Sequence, residues 1–198
     1  AVSLSAGTKR VVCVEGAQTA LTSTPGVWAA THKGYGSLGL SGAASTLLMV
    51  ADRAYAVPFA AAVDADIESV KFSVTTAATS GVQAKISIFS VGSDGLPGIK
   101  LAESSGVAVD TLGIKTASFT RFRPPSRFFV CILSDGAPTI RASALGVQMT
   151  HAMGFDSVLI AFAYIHHVGA TGLTFPSSWT PVGNLSNTAL PTLVCVPA

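Results

Sequence analysis

Residues 67–76 read IESVKFSVTT, and the alternation within this stretch decides the fold. From Val70 on, apolar Val, Phe and Val alternate with Lys, Ser and Thr. Neighbouring side chains of a strand point to opposite faces, so this period of two predicts a β-strand with one buried face. Residues 83–90, QAKISIFS, alternate in the same way and place Ala84, Ile86 and Ile88 on one face.

Strand-like runs recur from Thr46 onward, and turn residues separate them. The predicted strands are 46–51, 54–59, 67–75, 83–90, 100–103, 115–119, 127–133, 139–142, 157–164 and 192–196. Pairs such as Ser80-Gly81 and Asp135-Gly136 mark turns between them. Many short strands without an amphipathic helix predict an all-β fold, an antiparallel β-sandwich or jelly roll.

The stretch 93–98, SDGLPG, interrupts two strand-like runs. Asp94, Gly95, Pro97 and Gly98 are predicted to form the turn, because Asp and Gly accept positive φ and Pro presets its own φ. A calcium loop needs several oxygen ligands at short spacing, and Asp94 stands alone here. We therefore expect Asp94 to shape the backbone and not to bind a metal.

The composition favours a protein that buries much of its surface against other subunits. Charged residues make up 11% of the 198-residue chain, against roughly 25% in an ordinary domain, and the mean hydropathy is +0.55. The longest apolar run, residues 158–165, is far shorter than the ~20 residues of a spanning helix, so no membrane insertion is expected. The net charge of +2 comes without a basic block, which argues against a nucleic-acid partner.

The three cysteines, Cys13, Cys131 and Cys195, match neither a zinc spacing nor a disulfide framework. Each lies in an apolar, strand-like context, where a thiol packs as a small hydrophobic group. They are predicted to be buried and reduced, which is typical of assembly in a reducing compartment.

No set of residues predicts catalysis, a metal or a cofactor. Asp64, Asp66 and Glu68 alternate and would project from one face, either as a cation site or, as favoured here, as guards of a strand edge. His166 and His167 are adjacent, so on a strand end they would point to opposite faces and could not easily share an ion. The chain also lacks a G-x-S-x-G nucleophile elbow.

Residues 1–44 differ from the remainder and are predicted to form an N-terminal docking arm, with residues 45–198 forming the sandwich domain. A short strand at 10–15 is followed by a segment rich in Gly, Ala and Ser. Trp28 and Tyr35 of the arm, and Trp179 in the loop FPSSWTP, are candidate contacts for a partner or a glycan. The alternative for Trp179 is a ring that closes one end of the barrel.

Three motifs carry a resemblance to a known module. They are Tyr55, Val57, Pro58 and Phe59; the hairpin residues Gly95, Pro97 and Gly98 with Phe89; and residues 126–131, SRFFVC. Together they make residues 45–142 similar to the β-sandwich (jelly-roll) module of tailed-bacteriophage virion surface proteins, such as tail fibres and tailspikes. Phe stands here where two of the family motifs carry Tyr or Trp, which favours plain packing.

The resemblance implies a non-enzymatic structural protein of the virion, assembled in the bacterial host cytoplasm. In this reading the chain forms an oligomeric appendage or decoration of the head or tail, expected to be a homotrimer, and residues 1–44 dock onto other virion proteins. The alternative reading is a carbohydrate-binding module that recognises a glycan of the host surface.

Overall fold

The computed structural model describes residues 35–36, 44–60, 66–93, 95–143, 164–168, 172–179, 185–186 and 189–197. In these ranges the secondary structure consists of strands, with no helix. The strands are β1 Tyr35–Gly36, β2 Ala44–Leu48, β3 Arg53–Ala60, β4 Ile67–Thr76, β5 Gln83–Val91, β6 Pro97–Glu103, β7 Val107–Ala108, β8 Gly113–Phe122, β9 Arg127–Ser134, β10 Thr139–Ser143, β11 Tyr164–Val168, β12 Leu185–Ser186, β13 Leu190–Pro191 and β14 Val194–Pro197.

The strands form two antiparallel sheets of seven strands each. Sheet A contains β1, β2, β4, β8, β10, β13 and β14, and sheet B contains β3, β5, β6, β7, β9, β11 and β12. In sheet A, β4 pairs along one edge with β8 and along the other with β14 and β10 in turn. In sheet B, β9 lies at the centre, between β3 and β5.

The two sheets pack face to face around one apolar core. The alternation of β4 points Val70, Phe72 and Val74 into this core, where each is at most 3% exposed. Sheet B contributes residues such as Ile86 and Ile88 of β5 to the same core, and both are fully buried. The predicted all-β antiparallel sandwich is therefore confirmed.

Several strand boundaries differ from those predicted. β6 begins at Pro97 and not at Lys100, because the N–H of Gly92 donates to the carbonyl of Leu96 at 2.7 Å and so closes the turn before Pro97. β8 extends over ten residues, beyond the predicted 115–119. The predicted strand 157–164 lies almost wholly outside the described residues, and the strand seen nearby is β11, Tyr164–Val168.

Part of the predicted arm pairs with sheet A. Gly36 of β1 lies opposite Val194, and Ala44 of β2 lies opposite Ser143. Tyr35 is the first residue of sheet A that the structure describes, and residues 1–34 lie outside the described part.

Candidate functional site

The outer face of sheet B is covered by the chain's own 172–179 segment. Leu173, Phe175 and Trp179 of this segment pack on Phe89 of β5 and Phe129 of β9. The ring of Trp179 meets Phe89 edge-on, with centroids 5.4 Å apart and planes at 81°, a favourable geometry for aromatic pairs. Trp179 is only 6% exposed, so this layer forms a second apolar cluster.

Main-chain hydrogen bonds fix the same segment to the edge strand β6. The N–H of Trp179 donates to the carbonyl of Gly98, and the N–H of Lys100 donates to the carbonyl of Ser177, both at 2.9 Å. At the start of the segment, the N–H of Gly172 donates to the Asp52 carboxylate at 3.2 Å. The 172–179 segment therefore covers the outer face of β3, β5 and β9 and pairs with the first half of β6.

A carboxylate between two ammonium groups supports this edge. Glu103 accepts from Nζ of Lys85 at 3.1 Å and also from Nζ of Lys100. Lys100 in turn donates to the carbonyl of Phe175 at 3.3 Å. All three charged side chains are less than a third exposed, so the ion pairs are partly shielded from water.

The outer face of sheet A is open by comparison. It carries the outward residues of its strands, namely Thr46 and Leu48 (β2), Ser69, Lys71 and Ser73 (β4), Ile114, Thr116 and Ser118 (β8), Arg141 (β10), and Val194 and Val196 (β14). Ile114 is 75% exposed and Leu48 is 63% exposed. Among the described residues, no segment packs over this face as 172–179 does over sheet B.

A pocket of about 230 Å³ lies in this open face. It sits where β4 passes from pairing with β14, at Lys71, to pairing with β10, at Val74. The change of partner leaves a notch beside Phe72 and Ser73, and a hydrogen bond from the N–H of Thr192 to the carbonyl of Arg141 closes its far side. Ile114, Val194 and Thr192 complete the lining, with Lys71 and Arg141 at the rim.

An ion-pair cluster lies at the rim of sheet A, where β4 begins and β8 ends. Both oxygens of Asp66 are used, one by Nε of Arg121 at 2.8 Å and the other by Nε of Arg123 at 3.0 Å. Hydrogen bonds from Arg121 and then Arg123 lower the pKa of Asp66 below its ordinary value. Asp64, Asp66 and Glu68 were predicted to form a cation site or to guard a strand edge. Asp66 forms ion pairs with two arginines instead, and Glu68 is exposed. Asp64 lies outside the described residues.

The two described thiols are packing groups. Cys131 lies on the outer face of sheet B beneath the 172–179 segment, and Cys195 lies between the sheets. Burial raises the pKa of both thiols, which keeps them protonated and unreactive as nucleophiles. Cys13 lies outside the described residues.

Trp179, predicted as a candidate glycan or partner contact on a presented loop, is instead interior. Its indole is enclosed by Phe89 and the rest of the second cluster, and this burial leaves little ring surface for stacking on a sugar. The position agrees better with the alternative, a tryptophan that closes part of the fold. Sequence reasoning missed its partner, because Phe89 lies some 90 residues away in the chain.

The predicted turn residues divide between the turn and the next strand. Gly95 has φ of 78° and donates its N–H to the carbonyl of Gly92 at 3.0 Å. Pro97 and Gly98 were predicted to be turn-forming, but they are the first residues of β6. Gly98 is still constrained, since a Cβ there would lie 3.2 Å from the backbone nitrogen of Gly92. Asp94 lies outside the described residues.

The remaining candidates do not come together. Tyr35 pairs through its backbone with Cys195, and Trp28 lies outside the described residues. His166 and His167 lie within β11, opposite Tyr55 and Ala54, and not at a strand end as predicted. Within the described ranges, no three His, Cys, Asp or Glu residues are grouped so that they could hold a metal ion.

Comparison with known proteins gives no relative for this chain. No protein-family model, no curated protein and no solved structure matches it. Over the described residues, no helix has both the length and the apolar character needed to cross a bilayer. The candidate site is therefore defined by geometry: an open face of sheet A with an apolar pocket and two cations at its rim.

Proposed function

We propose that this chain is a non-enzymatic structural subunit of a bacteriophage virion, an oligomeric appendage or decoration of the head or tail. One observation carries the proposal: among the described residues, the 172–179 segment covers the outer face of sheet B, and no segment covers that of sheet A. A face with large exposed aliphatic side chains and few charges fits contact with a neighbouring subunit.

The charge distribution supports assembly over catalysis. Asp66 and Glu103 each hold two basic side chains, and Asp52 anchors the 172–179 segment. These acids therefore have structural partners in the described part of the chain. Among the described residues, the open face carries Lys71 and Arg141, and Glu68 of β4 is also exposed, so burial of this face would desolvate few ions.

The virion setting is supported by the sequence motifs of residues 45–142, which are structural and lie in the strands of the sandwich. Tyr55, Val57 and Phe59 of the first motif point into the core, and Phe128 of the third stacks on Phe59 with centroids 5.7 Å apart. In this proposal copies of the chain form a ring, expected to be a trimer, and the arm docks onto a virion protein. A closed ring is the usual solution for such contacts.

Light scattering on the full-length chain after size exclusion tests the assembly. Ile114→Glu places a charge on the open face and is expected to convert the oligomer to monomer. Ile99→Glu is the matched control, because Ile99 is 61% exposed but lies on β6 of sheet B. Equal oligomerisation of the two variants would contradict the role of sheet A.

Labelling the particle tests the virion setting. Antibody raised against the purified chain is expected to mark phage particles at one position in electron micrographs, whereas pre-immune serum does not. Particles that stay unlabelled, while the antibody binds the cell fraction, would remove the virion from the proposal. The glycan reading stays a prediction, since the one aromatic named for it whose side chain is described, Trp179, is interior.

A further inference from the structure

The pocket in the outer face of sheet A has the chemistry of a site for an apolar group next to a carboxylate. Ile114, Val194 and the stem of Lys71 form its walls, and these offer almost entirely apolar surface. The ammonium of Lys71 and the guanidinium of Arg141 stand at its rim, both on exposed residues. An occupant therefore gains most by burying aliphatic side chains and placing one acid beside the two cations.

The sequence itself contains a segment of this kind. Residues 10–15 read RVVCVE and are predicted to form a strand. On a strand Val11, Cys13 and Glu15 share one face, at spacings of about 6.8 Å, so two apolar groups are followed by a carboxylate. Glu15 is also the only acidic residue among residues 1–34. The match in polarity and charge order is specific to this segment of the arm.

The part of the arm that the structure describes includes β1, which lies in sheet A beside a strand of the pocket. Gly36 of β1 pairs with Val194, which lines the pocket. The roughly 20 residues between Glu15 and Tyr35 can span up to about 70 Å when extended. Neighbouring strands are about 4.8 Å apart, so the pocket is well within reach of the arm of the same chain or of an adjacent copy.

We infer that residues 10–15 of the arm bind the outer face of sheet A, with Val11 and Cys13 over the pocket and Glu15 beside Lys71 and Arg141. This inference rests on the proposed function in one respect, that the arm is a docking segment. It assigns residues 10–15 to sheet A of the same chain or of an adjacent copy, and leaves the contact with another virion protein to the rest of the arm. The arm then covers the outer face of sheet A, as the 172–179 segment covers the outer face of sheet B.

Disulfide trapping in the full-length chain tests the inference. Ser73→Cys places a thiol in the pocket wall, and with oxidised glutathione it is expected to form a disulfide with native Cys13. Cys131 and Cys195 are buried and do not compete. Ser105→Cys is the matched control, because Ser105 is an exposed serine on a loop of sheet B. The trapped Cys13 peptide is quantified by mass spectrometry.

At least a tenfold excess of the Cys13 disulfide with Ser73→Cys over Ser105→Cys supports the inference, and equal yields overturn it. Glu15→Lys is expected to reduce the yield severalfold, and Lys71→Glu in the same chain to restore it. A yield unaffected by both changes would also overturn the placement of Glu15. Circular dichroism of each variant verifies that it is folded.

Non-reducing gel electrophoresis of the same samples separates this inference from the proposed assembly. Disulfides between chains and disulfides within one chain both place residues 10–15 on sheet A. A disulfide found only within monomers would support the inference and contradict the oligomer. An oligomer without any Cys13 disulfide would leave the assembly standing and remove the arm from this face.

Discussion

The two outer faces of the sandwich differ in how far their apolar side chains are covered by the described residues. Sheet B buries Phe89, Phe129 and Cys131 beneath residues supplied by its own chain, with an aromatic pair and main-chain hydrogen bonds. Sheet A keeps Ile114 and Leu48 largely exposed on a face of Ser, Thr and Val. Under our proposal, the face covered in the described part of the chain belongs to the folded unit, and the open face binds another segment or subunit.

Removing the indole that covers sheet B should have the largest effect. Trp179→Ala deletes a buried ring, and such changes cost about 3–5 kcal/mol of unfolding free energy. Urea denaturation of the full-length variant measures the loss. Ile99→Ala, on the exposed side of β6, should change stability by less than about 0.5 kcal/mol. A loss below 1 kcal/mol for Trp179→Ala would mean that the covering layer contributes little.

The same substitution should separate the two described cysteines. Cys131 lies under the 172–179 segment, so Trp179→Ala is expected to raise its rate of alkylation by at least about tenfold through local opening. Cys195 lies between the sheets and should keep the slow rate of the parent chain. Mass spectrometry after timed exposure to iodoacetamide gives both rates. Equal acceleration at Cys131 and Cys195 would indicate global unfolding instead.

Neutralising the carboxylate at the sheet B edge should have a moderate effect. Glu103→Gln removes ion pairs to Lys85 and Lys100 that are only partly screened by water, which should cost about 1 kcal/mol. Limited proteolysis should show faster cleavage in the 172–179 segment. Glu68→Gln, an exposed carboxylate of β4, is the control and should leave the cleavage rate unchanged.

The smallest effect is expected at the exposed rim of sheet A. Arg121 and Arg123 lower the folded-state pKa of Asp66 from its ordinary value of 3.8. The ionised carboxylate therefore stabilises the fold fully at pH values above 3.8. This contribution is lost as the pH falls through the lower folded-state pKa. The difference in Tm between the parent chain and Asp66→Asn should therefore be small at neutral pH and should vanish in acid. A difference that widens in acid would contradict the pairing.

The sequence predicted the strand bounds of the two sheets about equally well, but it did not predict the layer that covers sheet B, for a physical reason. β4 has one wet face, so its period of two is visible in VKFSVT. β9 is buried on both faces from Phe128 to Ser134, and its run FFVCIL carries no alternation. That continuous run was itself a signal that a third layer covers sheet B.

The candidate site was less accessible to sequence reasoning. Lys71, Ile114, Arg141 and Val194 come from four different strands, and only the register of β4 brings them around one pocket. No local spacing in the chain relates these residues. The role of Trp179 was hidden for the same reason, because its partners lie in distant strands.

The position of β14 has a consequence for biosynthesis. Val194–Pro197 is inserted between β1 and β4, so a strand made late becomes an interior member of sheet A. Until these residues leave the ribosome, the β4 edge from Ile67 to Lys71 has no β14 to pair with. A nascent chain with such an unpaired edge is prone to join other chains. The emergence of residues 194–197 from the ribosome, and not the completion of the earlier strands, is then the event that permits β14 to fill its place in sheet A.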